Sequence, residues 1–314
     1  MQIIQGTTQF HIDRPSAVAI GKFDGIHMGH RRLLEQLIHR KSMGALAVVF
    51  TFDPSPAVFF AGKTLPELTT KEEKRAYFER LGVDVLIEYP LNQESAGIDP
   101  TLFVRRMLQE QMQAKYIIAG EDVSFGAGGK GDAKLLHALS KECGYEMELI
   151  DKVCIDGITV SSTKIRELVA DGNMELVRRM LGEAYPVTGL IRHGKHLGRT
   201  IGMPTVNLLP EKGKLLPPNG VYYSEVELGD QVYQGITNIG YKPTVTDEQV
   251  MGVETYLYDF AQDVYGKFIT VRLLSFKRPE MRFAGVEELK KQMASDIAQG
   301  RYYHKEHQAW RSGT

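Results

Sequence analysis

The sequence predicts an α/β protein in two parts: a doubly wound parallel sheet with helices on both faces, then a six-stranded antiparallel β-barrel with a closing helix. Three observations carry this. In the first half, short apolar runs alternate with segments whose apolar residues recur every 3.6 positions. After Tyr185 the helical period disappears until about Val286, and β-rich runs divided by turns replace it. The chain has 314 residues, long for one domain and comfortable for two, which places the domains at 1–184 and 185–314.

Element by element, Ala17-Val18-Ala19-Ile20 reads as a buried strand, and Leu33, Leu34, Leu37 and Ile38 mark the helix after it. Strands are expected at 46–52, 83–88, 115–119 and 147–153, with helices at 71–81, 102–112 and 135–141 between them. A turn at Asp156-Gly157 precedes helices at 164–170 and 174–181. The barrel strands are expected at 187–192, 221–228, 231–238, 253–259 and 268–275, with a sixth after Pro204 and a final helix over 286–298.

Composition excludes several classes. The 43% apolar and 25% charged content is that of a soluble globular protein, and a net charge of −1 gives no basic field for nucleic acid. No apolar run approaches the roughly 18 residues of a membrane span, and the start carries no signal-peptide pattern. The only cysteines, Cys143 and Cys154, make no disulfide framework or zinc motif, so a reduced cytoplasm is expected.

The chemistry concentrates in a few stretches. Gly21-Lys22-Phe23-Asp24-Gly25-Ile26-His27-Met28-Gly29-His30 is the first turn from strand to helix. A helix N-terminus there offers free N–H groups and a positive dipole end to phosphate, and Gly25 and Gly29 let a nucleotide lie close to the backbone. Two imidazoles beside an anion site, with no serine or cysteine nucleophile, suggest catalysis by positioning and charge stabilisation. Ser161-Ser162-Thr163-Lys164-Ile165-Arg166 opens a later helix; its hydroxyls and guanidinium exceed what a cap needs and suit phosphate oxygens. Gly194, Gly198 and Gly202 allow a loop to wrap phosphates, and Pro204 leads into a strand on which Thr205 and Asn207 point to one side. Those two oxygens can bind Mg²⁺ together with ATP. Glu254 alternates with apolar residues in Gly252-Val253-Glu254-Thr255-Tyr256. Gly126, Gly128 and Gly131, with Asp151 about 20 residues on, imitate a dinucleotide fingerprint. Six residues separate them from Ala119, however, so the first glycine does not close the strand and nicotinamide is not expected. His304 and His307 are expected in a solvated tail rather than a metal site.

The histidine stretch resembles the signature of the nucleotidyltransferase superfamily, in the form typical of bacterial FAD synthetases, and implies a Rossmann-like domain. By that resemblance His27, His30 and Arg166 surround the α-phosphate of ATP, Gly21, Phe23, Asp24, Gly25 and Gly29 bind the nucleotide at the turn, and Ser162, Thr163 and Arg166 hold the β- and γ-phosphates. Gly120-Glu121-Asp122-Val123-Ser124-Phe125-Gly126 is similar to the family's loop over nucleotide and flavin, which gives Asp122 and Phe125 flavin contacts; Ser55 and Val123 depart from the family pattern. The second half resembles the riboflavin kinases through Gly198-Arg199-Thr200-Ile201-Gly202-Met203-Pro204-Thr205-Val206-Asn207, with Met203 and Val206 as departures. Pro217-Pro218-Asn219-Gly220, Asn238-Ile239-Gly240 and Lys277-Arg278-Pro279-Glu280-Met281-Arg282-Phe283 follow the same pattern. That resemblance puts Glu254 inside the barrel mouth as general base on a ribityl hydroxyl, and Arg278 and Phe283 on a flavin-side flap. It implies riboflavin, FMN, FAD and ATP as ligands, Mg²⁺ as cofactor, and no nucleic-acid or membrane partner. The competing readings are a nucleotidyltransferase for another phosphorylated acceptor with an accessory barrel, and a flavin- or RNA-sensing module on the same fold.

Overall fold

A computed structural model describes residues 1–192, 202–242 and 250–311. The chain divides into two compact units, Met1–Lys164 and Ile165–Thr314.

In the first unit six parallel strands form one sheet: β1 (Gln2–Gln5), β2 (Ser16–Ile20), β3 (Leu46–Asp53), β4 (Val85–Pro90), β5 (Ala114–Gly120) and β6 (Glu146–Ile150), in the order β1-β4-β3-β2-β5-β6. The alternation of side chains sorts β2 into two layers. Ala17 and Ala19 join Leu33, Leu34, Leu37 and Phe78 from α1 (Met28–Ser42) and α2 (Lys71–Leu81). Val18 and Ile20 join Phe103, Val104, Leu108 and Leu136 from α3 (Phe103–Gln111) and α4 (Ala133–Cys143) on the opposite face. Small residues under α1 let that helix pack close, and large ones fill the other side.

Local chemistry sets the helix ends. A capping box joins Thr70 and Glu73 at the start of α2, and Gly82 ends it with φ of 88°. Asp132 caps α4 and Gly144 ends it with φ of 70°. Asp156 and Gly157 both have positive φ and close the hairpin of β7 (Cys154–Ile155) and β8 (Ile158–Thr159). Two features departed from the sequence expectation. The edge strand β1 is mostly exposed and has no strong pattern of its own; pairing with β4 makes it a strand. Helix α3 is of the wide π type, its end marked by a bond from Met112 N–H to Met107 O.

Two helices, α5 (Ser162–Ala170) and α6 (Met174–Leu181), precede the barrel, and α6 buries Met174, Val177, Met180 and Leu181. The barrel is closed, in the order β10-β13-β12-β11-β14-β9. Its strands are β9 (Tyr185–Arg192), β10 (Thr205–Pro210), β11 (Gly220–Leu228), β12 (Gln231–Lys242), β13 (Val250–Leu257) and β14 (Phe268–Pro279), all antiparallel to their neighbours. Tyr222, Ser224, Thr237, Val253 and Thr255 fill the interior. There Thr237 Oγ1 bonds to Ser224 Oγ at 2.7 Å and to Thr255 Oγ1 at 2.8 Å, so the buried hydroxyls satisfy one another.

The last helix, α7 (Val286–Arg311), is longer than expected. Ile297 of this helix packs against the barrel's outer wall, where Val221, Tyr223, Ile236, Tyr256 and Tyr258 meet. His304 is therefore no part of a solvated tail: it is 3% exposed, with Nε2 3.3 Å from Gly235 O and its ring edge-on to Tyr258. The helix passes through Gly300 without ending. A Cβ at Gly300 would stand 2.0 Å from the Tyr258 hydroxyl oxygen, so packing selects the glycine against helix propensity. Among the described residues no helix is long and apolar enough to cross a membrane.

Propensity alone predicts that Gly300→Ala stabilises a helix by about 1 kcal/mol. Here the clash reverses the sign, and the barrel unit should lose about 1–3 kcal/mol by overpacking. Tyr258→Phe removes a buried hydroxyl that has no hydrogen-bond partner among the described residues. The double variant should therefore recover most of the loss, as read by denaturant unfolding.

Candidate active sites

The parallel sheet changes direction at β2 and β5: the chain leaves β2 toward β3 and leaves β5 toward β6. The crevice outside the carboxyl ends of such a strand pair is where doubly wound sheets bind ligands. The loops after β2 and β5 carry His27 and Asp122, and the Asp122 carboxylate is close enough to influence His27 electrostatically.

The histidine loop is built from its core outward. Phe23 and Ile26 hold left-handed φ values of 49° and 42°, uncommon for such side chains, and burial of both (0% and 3% exposed) keeps them there. The Phe23 ring lies between His30, 5.2 Å away between ring centroids, and Phe78 at 5.4 Å. It also crosses Gly21, where a Cβ would meet the ring at 3.0 Å. Asp24 Oδ1 accepts from the N–H groups of Leu68 and Thr69, and Gly25 N–H donates to Thr69 Oγ1 at 2.8 Å. Phe23, Asp24 and Gly21 thus form the frame of the turn.

His27 caps α1: its Nδ1 accepts the His30 N–H at 3.3 Å. That bond puts the neutral ring's proton on Nε2. The two imidazoles stack with centroids 3.8 Å apart and planes 13° from parallel. Gly29 makes the stack possible, since a Cβ there would press on the His27 ring at 3.3 Å. Burial pulls the His27 pKa down to about 4, with Asp122 working the other way. Burial and then the neighbouring His27 hold His30 well below its ordinary value. Both rings are neutral at pH 7. His30 Nδ1 is buried and has no hydrogen-bond partner among the described residues, a cost that a ligand or water must meet.

The helix α5 reaches this loop through Ser162, whose Oγ donates to Asp24 O at 2.7 Å. Ser161 Oγ accepts from Lys164 N–H as a cap, Thr163 is exposed, and Arg166 follows one turn on, half-buried. Phe125 follows β5 in the same loop as Asp122. It is 2% exposed, packed on Phe103 at 5.1 Å, and a Cβ on Gly131 would overlap its ring. It belongs to the core beneath the loop, so the glycines of the false fingerprint include one that serves packing.

The second site lies on the barrel. Residues 253, 255 and 257 of β13 point inward, so Glu254 and Tyr256 point outward. The expectation of Glu254 inside the barrel mouth is corrected by this parity: the interior is filled, and Glu254 faces a cavity of about 500 Å³ between the outer wall and α7. Register pairs Glu254 with Asn207 on one side and Asn238 on the other. Thr205 Oγ1 donates to Glu254 Oε1 at 2.5 Å. The cavity wall is apolar at Ile236, Tyr256, Met293 and Phe283, and polar at Glu254, Thr205, Arg278 and Asp296.

Arg278 and Phe283 line the same cavity as Glu254. Asp296 escaped the sequence reading. It is 3% exposed on α7, and Arg278 Nε and Nη2 donate to its Oδ2 at 3.0 and 2.5 Å. Gln292, one turn earlier, adds a bond at 3.0 Å. Only the tertiary fold brings that carboxylate to Arg278. Gly202 has φ of 78° with open space around it, and Pro204 is exposed just before β10. Gly194 and Gly198 lie outside the described residues.

A neutral imidazole pair at a helix N-terminus, and a carboxylate beside a hydroxyl in a half-apolar cavity, suit the transfer of phosphate and nucleotidyl groups without a covalent intermediate. The fold and its two sites thus define a two-domain transferase. Residues 9–164 match the FAD synthetase family and residues 181–304 the riboflavin kinase family. A bifunctional riboflavin kinase/FMN adenylyltransferase of Escherichia coli (strain K12) is 38% identical over 89% of this chain and 90% of its own. One of Pseudomonas fluorescens is 33% identical over 96% and 97%. This chain belongs to the family of bifunctional riboflavin kinases/FMN adenylyltransferases. A crystal structure from Streptococcus pneumoniae, described as a macrolide-efflux protein, has the same fold, with a TM-score of 0.81 and 30% identity over 94% of this chain and 96% of that one.

The depressed His27 pKa has a consequence for stability. Between pH 6.5 and about 4 the unfolded chain binds a proton that the folded ring refuses. Stability is therefore intact above pH 6.5 and falls as pH drops through this window, by about 3 kcal/mol from this ring alone. His27→Asn, which retains capping ability, should flatten that part of the pH profile of unfolding for the first unit.

Proposed function

We propose that the two sites divide two successive reactions on the flavin. The barrel transfers the γ-phosphate of ATP to the 5′-hydroxyl of riboflavin, giving FMN and ADP. The parallel-sheet unit joins FMN to the AMP portion of a second ATP, giving FAD and pyrophosphate. The observation that carries the assignment is the pairing of Glu254 with Thr205 in a cavity that is lined in part by apolar side chains.

In the kinase site Thr205 donates to one oxygen of Glu254, which leaves the other to accept the proton of the ribityl hydroxyl. The hydroxyl oxygen bonds to the γ-phosphorus and the bond to the β–γ bridging oxygen breaks. Arg278, held in place by Asp296, brings further N–H groups to the cavity. Thr205 and Asn207 present hard oxygen atoms on the strand face shared with Glu254, a donor set that suits Mg²⁺. Bound there, the ion would neutralise polyphosphate charge.

In the adenylyltransferase site an FMN phosphate oxygen attacks the α-phosphorus of ATP and pyrophosphate leaves in line. His27 offers Nε2–H, and the α1 N-terminus offers its dipole, to the α-phosphate. Buried His30 Nδ1, which has no partner among the described residues, supports a ligand oxygen at that ring. Ser162, Thr163 and Arg166 are assigned to the β- and γ-phosphates by their motif, and Asp122 to the flavin side. Because that motif crosses Lys164, we draw the functional boundary at Tyr185 and keep α5 and α6 with the adenylyltransferase. Two free cysteines, Cys143 and Cys154, support a cytoplasmic location, and a net charge of −1 supports the absence of a nucleic-acid partner.

Glu254→Ala should lose riboflavin phosphorylation by about 10²–10⁴-fold while still adenylylating supplied FMN. His30→Ala should do the reverse, with a loss of about 10²-fold or more in FAD formation. An assay resolving FMN from FAD reads both. Loss of both activities in either folded variant would refute the two-site assignment.

A further inference from the structure

Beyond β14 the chain folds over the kinase cavity, and Met281 and Phe283 enter its wall. Glu280 stands between them and the strand. Its carboxylate grips two separate segments: Oε1 accepts from Asn238 Nδ2 at 3.2 Å, and Oε2 accepts from Asn219 Nδ2 at 3.4 Å. Asn238 is the cross-strand neighbour of Glu254. Asn219 lies in the loop that leads into β11.

Gly240 completes the arrangement. A Cβ there would stand 2.0 Å from Glu280 Oε1. Its φ is not left-handed, so the backbone does not require glycine at this position. The space is taken by the carboxylate. Two amide donors from two chain segments need one group with two acceptors, and a forked carboxylate supplies it.

We propose that Glu280 is the latch of the cavity roof, a positioning residue that holds Met281 and Phe283 over bound flavin by gripping Asn219 and Asn238 across Gly240. The proposal rests on the kinase reading of this cavity. Opening the latch frees the roof, so flavin exchanges faster while the reacting groups at Glu254 and Thr205 stay in place.

Glu280→Ala should raise the KM for riboflavin about tenfold, the loss expected when charge-assisted hydrogen bonds are removed. The dissociation rate of riboflavin, followed by its fluorescence in stopped flow, should rise by a similar factor. The kcat and the KM for ATP should stay near wild type. Gly240→Ala should act in the same direction, because its methyl evicts the carboxylate without entering the cavity. The double variant should be no worse than Glu280→Ala alone. A wild-type midpoint for denaturant unfolding of the barrel unit reports that the variants are folded. An unchanged riboflavin KM and dissociation rate in Glu280→Ala, or additive effects in the double variant, would overturn the latch. Failure of the kinase reading looks different: wild-type protein would not phosphorylate riboflavin, or Glu254→Ala would do so at full rate.

Discussion

Side chains alternate along a strand, and both halves of this chain are shaped by what that alternation forces. In β2 it sends Ala17 and Ala19 to one helix layer and Val18 and Ile20 to the other, so the sheet can be covered on both faces. In β13 it sends Val253 and Thr255 into the barrel and Glu254 and Tyr256 out of it. A closed six-stranded barrel has no spare interior for a substrate, and here Tyr222, Ser224 and Thr237 fill it. Glu254, the proposed general base, therefore stands on the outside, where the last helix closes a cavity over it. That is the part α7 plays.

The histidine loop shows how packing holds the two imidazoles in place. Phe23 carries the strain of a left-handed backbone and is held by complete burial. In that position its ring backs His30, while Gly29 leaves room for His27 to stack on it. The cap from His27 Nδ1 to His30 N–H then selects the tautomer. Desolvation favours the uncharged form of both rings, which offers directional donors or acceptors rather than fixed cations. The helix dipole supplies the positive potential instead.

Much of this was legible in the sequence. Helix α2 and helix α6 fall on their expected residues because their apolar period and their caps agree. Thr205, Asn207 and Glu254 were assigned to one site from motifs about fifty residues apart, and the register joins them. The misreadings have a common cause: a residue's type gives its chemistry but not what it faces. His304 has polar neighbours in sequence, yet Tyr258 and Gly235 bury it. Asp296 gave no signal, since one acidic residue on a long helix is ordinary until Arg278 arrives beside it.

The sequence by itself determined the class of each half, the order of the elements, and the loops that carry the chemistry, because periodicity, caps and motifs are local and each is fixed within a few residues. Only the tertiary structure decided on which side of the barrel wall Glu254 stands, which aromatic rings are frame and which are open, and which carboxylates hold Arg278 and the cavity roof. Those depend on strand parity within a closed sheet and on contacts between segments far apart in the chain, and no local pattern records them.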